Sequence, residues 1–342
     1  MSPVPEHNPL RRKAVFQLIL TTAAWGISFP LFTMLFKVQK ARVPDIGTFF
    51  LAAHAIGFRA LGAAAFFLLL RPRLLSGLTK KEWRQGALLG CFGGAGLILQ
   101  ADGLNYTSAP VSAFLTQFYC VLLPLWFCLR RRAWLPTRLL AATLLVVAGI
   151  ALLSGLCKLE DGALKVESFQ MGRGELETLM ATVFFTVQIL LLDRPSWKAN
   201  RMVPVTVVMF FGFALCALPV VLLTMSSASA VTAIYQGHKE FLIMGAIVLF
   251  CTVFAYTAMN RWQPHVTATE GGLIYCLEPV FTTLYALFLP ALLAAWTGVA
   301  YANDALTPAI IVGGGLITAA NILLQLPQRR KKHDLENTAA HV

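Results

Sequence analysis

The residues best placed to do chemistry are ionisable groups set inside long apolar stretches: Arg59, Glu270 and Glu278. A charge at the centre of a bilayer costs about 2.5–3.5 kcal/mol on insertion scales, so each must face protein or a hydrated cavity. The planar guanidinium of Arg59 can grip a carboxylate or phosphate through two hydrogen bonds. The other reading is a structural arginine bonded to helix carbonyls or reaching toward the surface. Glu270 and Glu278 are eight residues apart, which at about 100° per residue brings them within about 80° on a helix, so both can approach one cavity. Glu278 precedes Pro279, whose missing N–H frees a carbonyl one turn earlier and breaks the helix locally. A buried glutamate there can exchange a proton or hold a cationic group. The alternative is a helix-breaking motif bonded for structure, and Glu270, nearer a helix end, equally suits contact with solvent or headgroups.

Neutral polar and aromatic residues extend this set. Gln117, Tyr119, Gln188 and Tyr275 lie at membrane depth, where side-chain hydrogen bonds also hold helices together at about 0.6 kcal/mol each. Trp25 and Phe184 can stack on a substrate, form an apolar gate or pack as core aromatics. His54, five residues before Arg59, reads as an interhelical hydrogen-bonding residue or a proton relay.

The elements that position these residues are ten apolar runs, each about 18 to 25 residues long, the length that crosses a hydrocarbon core. The expected spans are 14–36, 46–70, 86–104, 108–129, 139–156, 176–192, 203–225, 241–259, 266–289 and 308–326. Composition agrees: 57% of residues are hydrophobic and 13% charged, against about 25% charged in an ordinary soluble domain. The net charge of +12 is spread over loops, with 20 Lys and Arg on the side of the N-terminus, 7 on the other, and Arg59 between them. That asymmetry follows the positive-inside rule and predicts both termini in the cytoplasm. The basic excess then serves topology and anionic headgroups, not nucleic acid. The first apolar run is longer than the 7 to 15 residues usual in a signal peptide and predicts a retained anchor. The seven cysteines show no disulfide framework and no paired metal-ligand spacing.

A shift of 159 residues lays Tyr106–Ala109 over His265–Ala268, Leu115-Thr116 over Ile274-Tyr275, Tyr119-Cys120 over Glu278-Pro279, and Trp25 over Phe184. The matches divide the chain into a tail (1–14), a first five-helix repeat (15–156), an external linker (157–173), a second repeat (174–326) and a C-terminal tail (327–342). Five is odd, so the halves enter the membrane in opposite orientations. The expected fold is an all-α membrane protein of ten transmembrane helices in two inverted five-helix repeats, the geometry of alternating access.

The chain also resembles the EamA family of the drug/metabolite transporter superfamily. Ala24-Trp25-Gly26-Ile27-Ser28-Phe29 and Phe58-Arg59-Ala60-Leu61 carry the likeness in the first half. Leu277-Glu278-Pro279-Val280-Phe281 and the glycine-rich Ile311–Ile317 segment carry it in the second. The resemblance spans about residues 15–326 and implies ten helices around a central cavity and secondary transport of a small metabolite. Departures are Cys120 where the family often has proline, Arg130-Arg131-Arg132 where it often has an acidic residue, and an apolar insertion over residues 290–303.

The expected function is export of a small polar, amino-acid-like or drug-like metabolite, with proton antiport through Glu278 and Glu270. Trp25, Arg59, Gln117, Tyr119, Phe184, Gln188, Tyr275 and Glu278 are the expected substrate residues. A nucleotide-sugar or other phosphorylated-metabolite carrier of the same fold is the alternative, and a membrane-embedded enzyme is the alternative of a different class. No phosphate-binding loop, zinc-protease motif or aspartate-rich metal motif is present, so no enzyme, cofactor or metal is expected. The expected partners are a small-molecule substrate and membrane lipid, in the inner or plasma membrane, with a homodimer left open.

Overall fold

The structure, a computed structural model, describes residues 9–132, 134–153, 157–160, 163–166, 171–192, 194–197, 199–266, 271 and 274–325. Its first part contains α1 (Pro9–Gly26), α2 (Ser28–Arg42), α3 (Thr48–Leu70), α4 (Lys80–Gly103), α5 (Ala109–Thr116), α6 (Tyr119–Arg131) and α7 (Thr137–Leu153). After a hairpin come α8 (Arg173–Leu192), α9 (Met202–Thr224), α10 (Ala228–Ala233), α11 (His238–Val248), α12 (Ala255–Trp262), α13 (Glu278–Ala286), α14 (Leu289–Thr297) and α15 (Pro308–Gln325). The hairpin pairs β1 (Cys157–Glu160) with β2 (Ala163–Val166) and is an addition to the helical architecture read from sequence. Between the strands lies Asp161-Gly162, a dipeptide that two-residue hairpin turns favour.

Among the described residues, six helical segments are long and apolar enough to cross a bilayer: Leu10–Arg42, Thr48–Leu70, Ala109–Arg130, Arg173–Leu192, Met202–Thr224 and His238–Met259. α13 and α14, bent by 51°, make a seventh if they are one span, and α7 and α15 are shorter apolar helices. Leu223 is 86% exposed and Leu69 81%. Apolar surface of that extent is a liability in water and the expected face toward lipid.

α4 packs against α8 and α9, α3 against α9, α7 against α15, α1 against α12 and α13, and α5 against α8 and α13. Small residues allow the closest of these approaches. A Cβ built on Gly90 of α4 would fall 2.6 Å from the Cα of Gly212 in α9, and one on Gly149 of α7 would fall 2.7 Å from the Gly313 carbonyl oxygen in α15. At the start of α4, Thr79 and Glu82 form a capping box: the Thr79 hydroxyl accepts from the Glu82 N–H at 3.2 Å, and the Thr79 N–H donates to Glu82 Oε2 at 2.8 Å.

Four interruptions shape the interior. The first helix is interrupted at Ile27, where Pro30 has no N–H to offer the Gly26 carbonyl; that carbonyl instead accepts from Thr282 Oγ1 at 3.3 Å. α5 gives way to α6 at the turn residues Gln117-Phe118, and α13 begins after the turn residues Cys276-Leu277, 159 positions later. Between α11 and α12 the chain forms one π-helical stretch, Leu249–Phe254, in which Thr252 Oγ1 donates to the Ile247 carbonyl at 3.0 Å.

Candidate functional site

The two turns and the first-helix interruption bring their flanking residues together. Trp25 ends α1, and its ring lies 6.0 Å from Tyr256 of α12 and 5.6 Å from Tyr275, centroid to centroid. Gly26 is packed so closely on α13 that a Cβ there would meet Phe281 Cβ and the Thr282 nitrogen at 3.0 Å each. Thr282 Oγ1 also reaches the Glu278 carbonyl at 3.0 Å, so one hydroxyl joins the two helices at their interruptions.

Glu278 is the first residue of α13 and Tyr119 the first of α6. Tyr119 lies within electrostatic reach of Glu278 and Cys276 and beside Cys120, and the Cys120 and Cys276 thiols are in side-chain hydrogen-bond contact. Tyr256 also lies within electrostatic reach of Glu278. The Tyr275 hydroxyl donates to Gln263 Oε1, tying this side of the cluster to the chain just after α12. A carboxyl, three hydroxyl-bearing rings, an indole and two thiols therefore surround one locus where three helices are interrupted.

Gln117 is buried in the α5–α6 turn. Its Oε1 accepts from Asn321 Nδ2 of α15 at 3.4 Å, while Gln117 Nε2 and Asn321 Oδ1 have no partner among the described residues. Unmet buried amide groups cost about 1–3 kcal/mol each, which makes this pair a place where a ligand or water would be held.

The other expected residues lie elsewhere. Arg59 Nε donates to Thr252 Oγ1 at 2.6 Å and its Nη2 to the Cys251 carbonyl at 3.2 Å, with the guanidinium 5.6 Å from the Phe32 ring centroid. It thus braces the π-helical stretch. Gln188 of α8 donates to the Leu89 carbonyl of α4 at 3.1 Å, in the seam that also holds α9. Phe184 rests on Phe92 at 6.4 Å, in an aromatic group separate from that of Trp25. Trp25 and Phe184, which the 159-residue shift lays together, therefore do not meet. His54 lies among Phe50, Phe58 and Tyr235, and Glu270 lies outside the described residues.

Ion pairs flank the cluster at both ends of the bundle. At one end Arg173 joins Asp102 at 2.6 Å and Glu177 at 2.7 Å, and Arg42 joins Glu240 at 2.9 Å. At the other, Arg201 joins Glu82 at 2.8 Å. The Arg201 side chain, seconded by the Thr79 backbone N–H, holds the Glu82 carboxyl well below the usual carboxylate range. Sequence reasoning assigned none of these pairs; isolated acids near span ends, Asp102 and Glu177 among them, were the available signal.

Comparison with known proteins bears on what such a cluster does. Residues 12–155 match the EamA-like transporter family. The EamA-like segment covers the chain from α1 to the residues following α7. An "uncharacterized transporter" of Archaeoglobus fulgidus is 25% identical over 312 residues, spanning 90% of this chain and 84% of its own. A solved structure, described only as "Crystal structure of protein", aligns with 94% of this chain and 99% of its own at a TM-score of 0.50 and 16% identity, a likeness of fold alone. Together with the apolar helices, the EamA-like match and the archaeal relative support a multi-pass membrane transporter.

Proposed function

We propose that this protein is a secondary active transporter that exports a small polar metabolite by alternating access, built from ten membrane-crossing segments in two inverted five-helix repeats. The observation that carries the reading is the pair of repeat-equivalent turns, Gln117-Phe118 and Cys276-Leu277, which converge beside Trp25 on Tyr119 and Glu278. Helices interrupted at mid-membrane are where transporters of inverted-repeat design bind their cargo. Helix pairing supports the same design. With each helix numbered within its half, the α4–α8 pairing corresponds to that of α12 with α1, and the α6–α8 pairing to that of α13 with α1; α3–α9 and α7–α15 each join equivalent elements.

Trp25, Tyr119, Gln117, Tyr275 and Glu278 are the cargo-facing residues of this proposal, and Glu278 couples cargo to protons. Arg59, Gln188 and Phe184 support the walls. Both termini lie in the cytoplasm, placing the Arg173 end of the bundle outside. An efflux screen in cells overproducing the protein identifies the cargo. In proteoliposomes, Glu278→Gln then retains cargo exchange and loses uptake driven by a pH gradient. Full gradient-driven transport by Glu278→Gln removes Glu278 from the coupling.

A further inference from the structure

A second polar space lies away from the interrupted helices, at the Arg173 end. It is a cavity of about 540 Å³ bounded by Lys37 and Lys40 of α2, by Thr107 and Ser108 leading into α5, and by Tyr301 and Asp304 beyond α14. We propose that this vestibule is a binding site for an oxyanion, a carboxylate or phosphate group. The proposal is independent of the coupling role given to Glu278 and of which face of the membrane the vestibule opens on.

Lys37 and Lys40 are three positions apart and line the same space, as neighbours on one helix face do. Among the described residues neither lysine is in an ion pair. Lys37 Nζ rests 5.4 Å from the Tyr301 ring centroid. Lys40 senses the Asp102 carboxylate, but that group is already bound by Arg173 at 2.6 Å. Facing the lysines is the beginning of α5, where the Ser108 hydroxyl accepts from the Val111 N–H at 3.4 Å and the partial positive charge of the helix start adds to theirs. Asp304 is the opposing charge on the lining, and partial burial pushes its carboxyl up from the usual value. The lining therefore carries net positive charge and the Ser108 hydroxyl, while the Thr107 hydroxyl is given to Glu175 Oε1 at 2.6 Å.

The insertion over residues 290–303 builds one wall of this space. α14 turns 51° away from α13, Gly298 reverses the chain at φ 74°, and the chain returns with Asn303 Oδ1 accepting from the Ala291 N–H at 2.8 Å. The Asp304 N–H donates to the Ala286 carbonyl at 2.9 Å, and Lys239 Nζ donates to the Thr297 carbonyl at 2.8 Å. These five features hold Tyr301 and Asp304 across the cavity from the lysines.

The test is thermal unfolding of the full chain in a neutral detergent against sodium succinate and sodium phosphate, each matched in ionic strength with sodium chloride. Unfolding in nanodiscs of phosphatidylglycerol and of phosphatidylcholine is the second arm. Wild type is stabilised by one or both free anions if the source is soluble, and by phosphatidylglycerol alone if the source is a lipid headgroup. In either case the Lys37→Gln/Lys40→Gln double variant raises the half-maximal concentration by about tenfold or removes the stabilisation, as expected for two charge-assisted contacts. Asp304→Asn lowers it, and this variant reads the site even where the double lysine variant does not fold. No stabilisation by any of the probes, or a response unchanged in the double lysine variant and in Asp304→Asn, overturns the proposal.

Discussion

Arg59 and Glu278 are both ionisable groups inside apolar helices, yet the structure treats them differently. Arg59 gives its Nε to Thr252 Oγ1 and its Nη2 to the Cys251 carbonyl, where they brace a π-helical stretch. Glu278 stands at a helix start among Trp25, Tyr119 and Tyr256, with its backbone carbonyl engaged by Thr282. The same contrast separates two glutamines. Gln188 gives its amide to a neighbouring helix at Leu89, whereas Gln117 only accepts, at Oε1, from Asn321 Nδ2 and the Cys120 thiol, and its Nε2 is unpartnered among the described residues. Polar residues at membrane depth thus divide into those that join helices and those that retain bonding capacity, and the second kind gathers where helices are interrupted.

The largest effect expected from this division is on folding at Arg59. Arg59→Ala removes a buried donor from the Cys251 carbonyl and from the Thr252 hydroxyl, which keeps its own bond to the Ile247 carbonyl, at about 1–3 kcal/mol in all. The yield of folded protein on size-exclusion chromatography falls sharply. Arg59→Lys retains a donor and recovers most of it. If Arg59→Ala folds normally and loses cargo binding instead, Arg59 belongs with Glu278 and the division is wrong.

A smaller split is expected of the glutamines. Gln188→Leu loses an interhelical bond and lowers stability by about 1 kcal/mol, with transport by the folded fraction retained. Gln117→Leu leaves the buried Asn321 Nδ2 without its partner, so stability falls by about 1 kcal/mol or more, but here cargo affinity falls as well. Melting temperatures and transport rates measured on both variants decide whether the pair separates in this way.

The smallest effect concerns the Glu82–Arg201 pair at the far end of the bundle. The folded-state carboxyl of Glu82 is depressed, so its contribution to stability is fully present above the ordinary carboxylate pKa of about 4.3 and is lost as pH falls below it. Arg201 is half exposed, which keeps the contribution small. Glu82→Gln should lower the melting temperature slightly at pH 7, and the gap from wild type should narrow below pH 4. A gap constant down to pH 3 contradicts the ion-pair account.

Much of this arrangement was legible in the chain. Six of the ten apolar runs correspond to described helices long and apolar enough to cross a bilayer, and the 159-residue shift laid Tyr119-Cys120 over Glu278-Pro279, the residues that follow the two turns. Pro279 also signalled the start of α13. The interruption at Ile27 had a quieter cue, because Pro30 frees a carbonyl at Gly26 whose partner, Thr282, is remote in sequence. Periodicity cannot identify such partners, nor could it reveal that Arg59 meets Thr252 or that Gln188 meets Leu89. The likeness between Trp25 and Phe184 was a statement of equivalence, and equivalence does not predict contact. The hairpin at Cys157–Val166 was hidden by its shortness, four residues a strand, beside helices several times longer.

The central claim is that the two repeat-equivalent turns meet at one site, and Cys120 and Cys276 report on it directly. The measurement is oxidative cross-linking in membranes, using a protein whose other five cysteines are replaced by serine and which carries a protease site between residues 160 and 163. After oxidation, cleavage and electrophoresis without reductant, the account predicts that the two halves remain joined as one band and separate when reductant is added. Complete separation of the halves before reduction, with both thiols still free to react in the denatured protein, would contradict it.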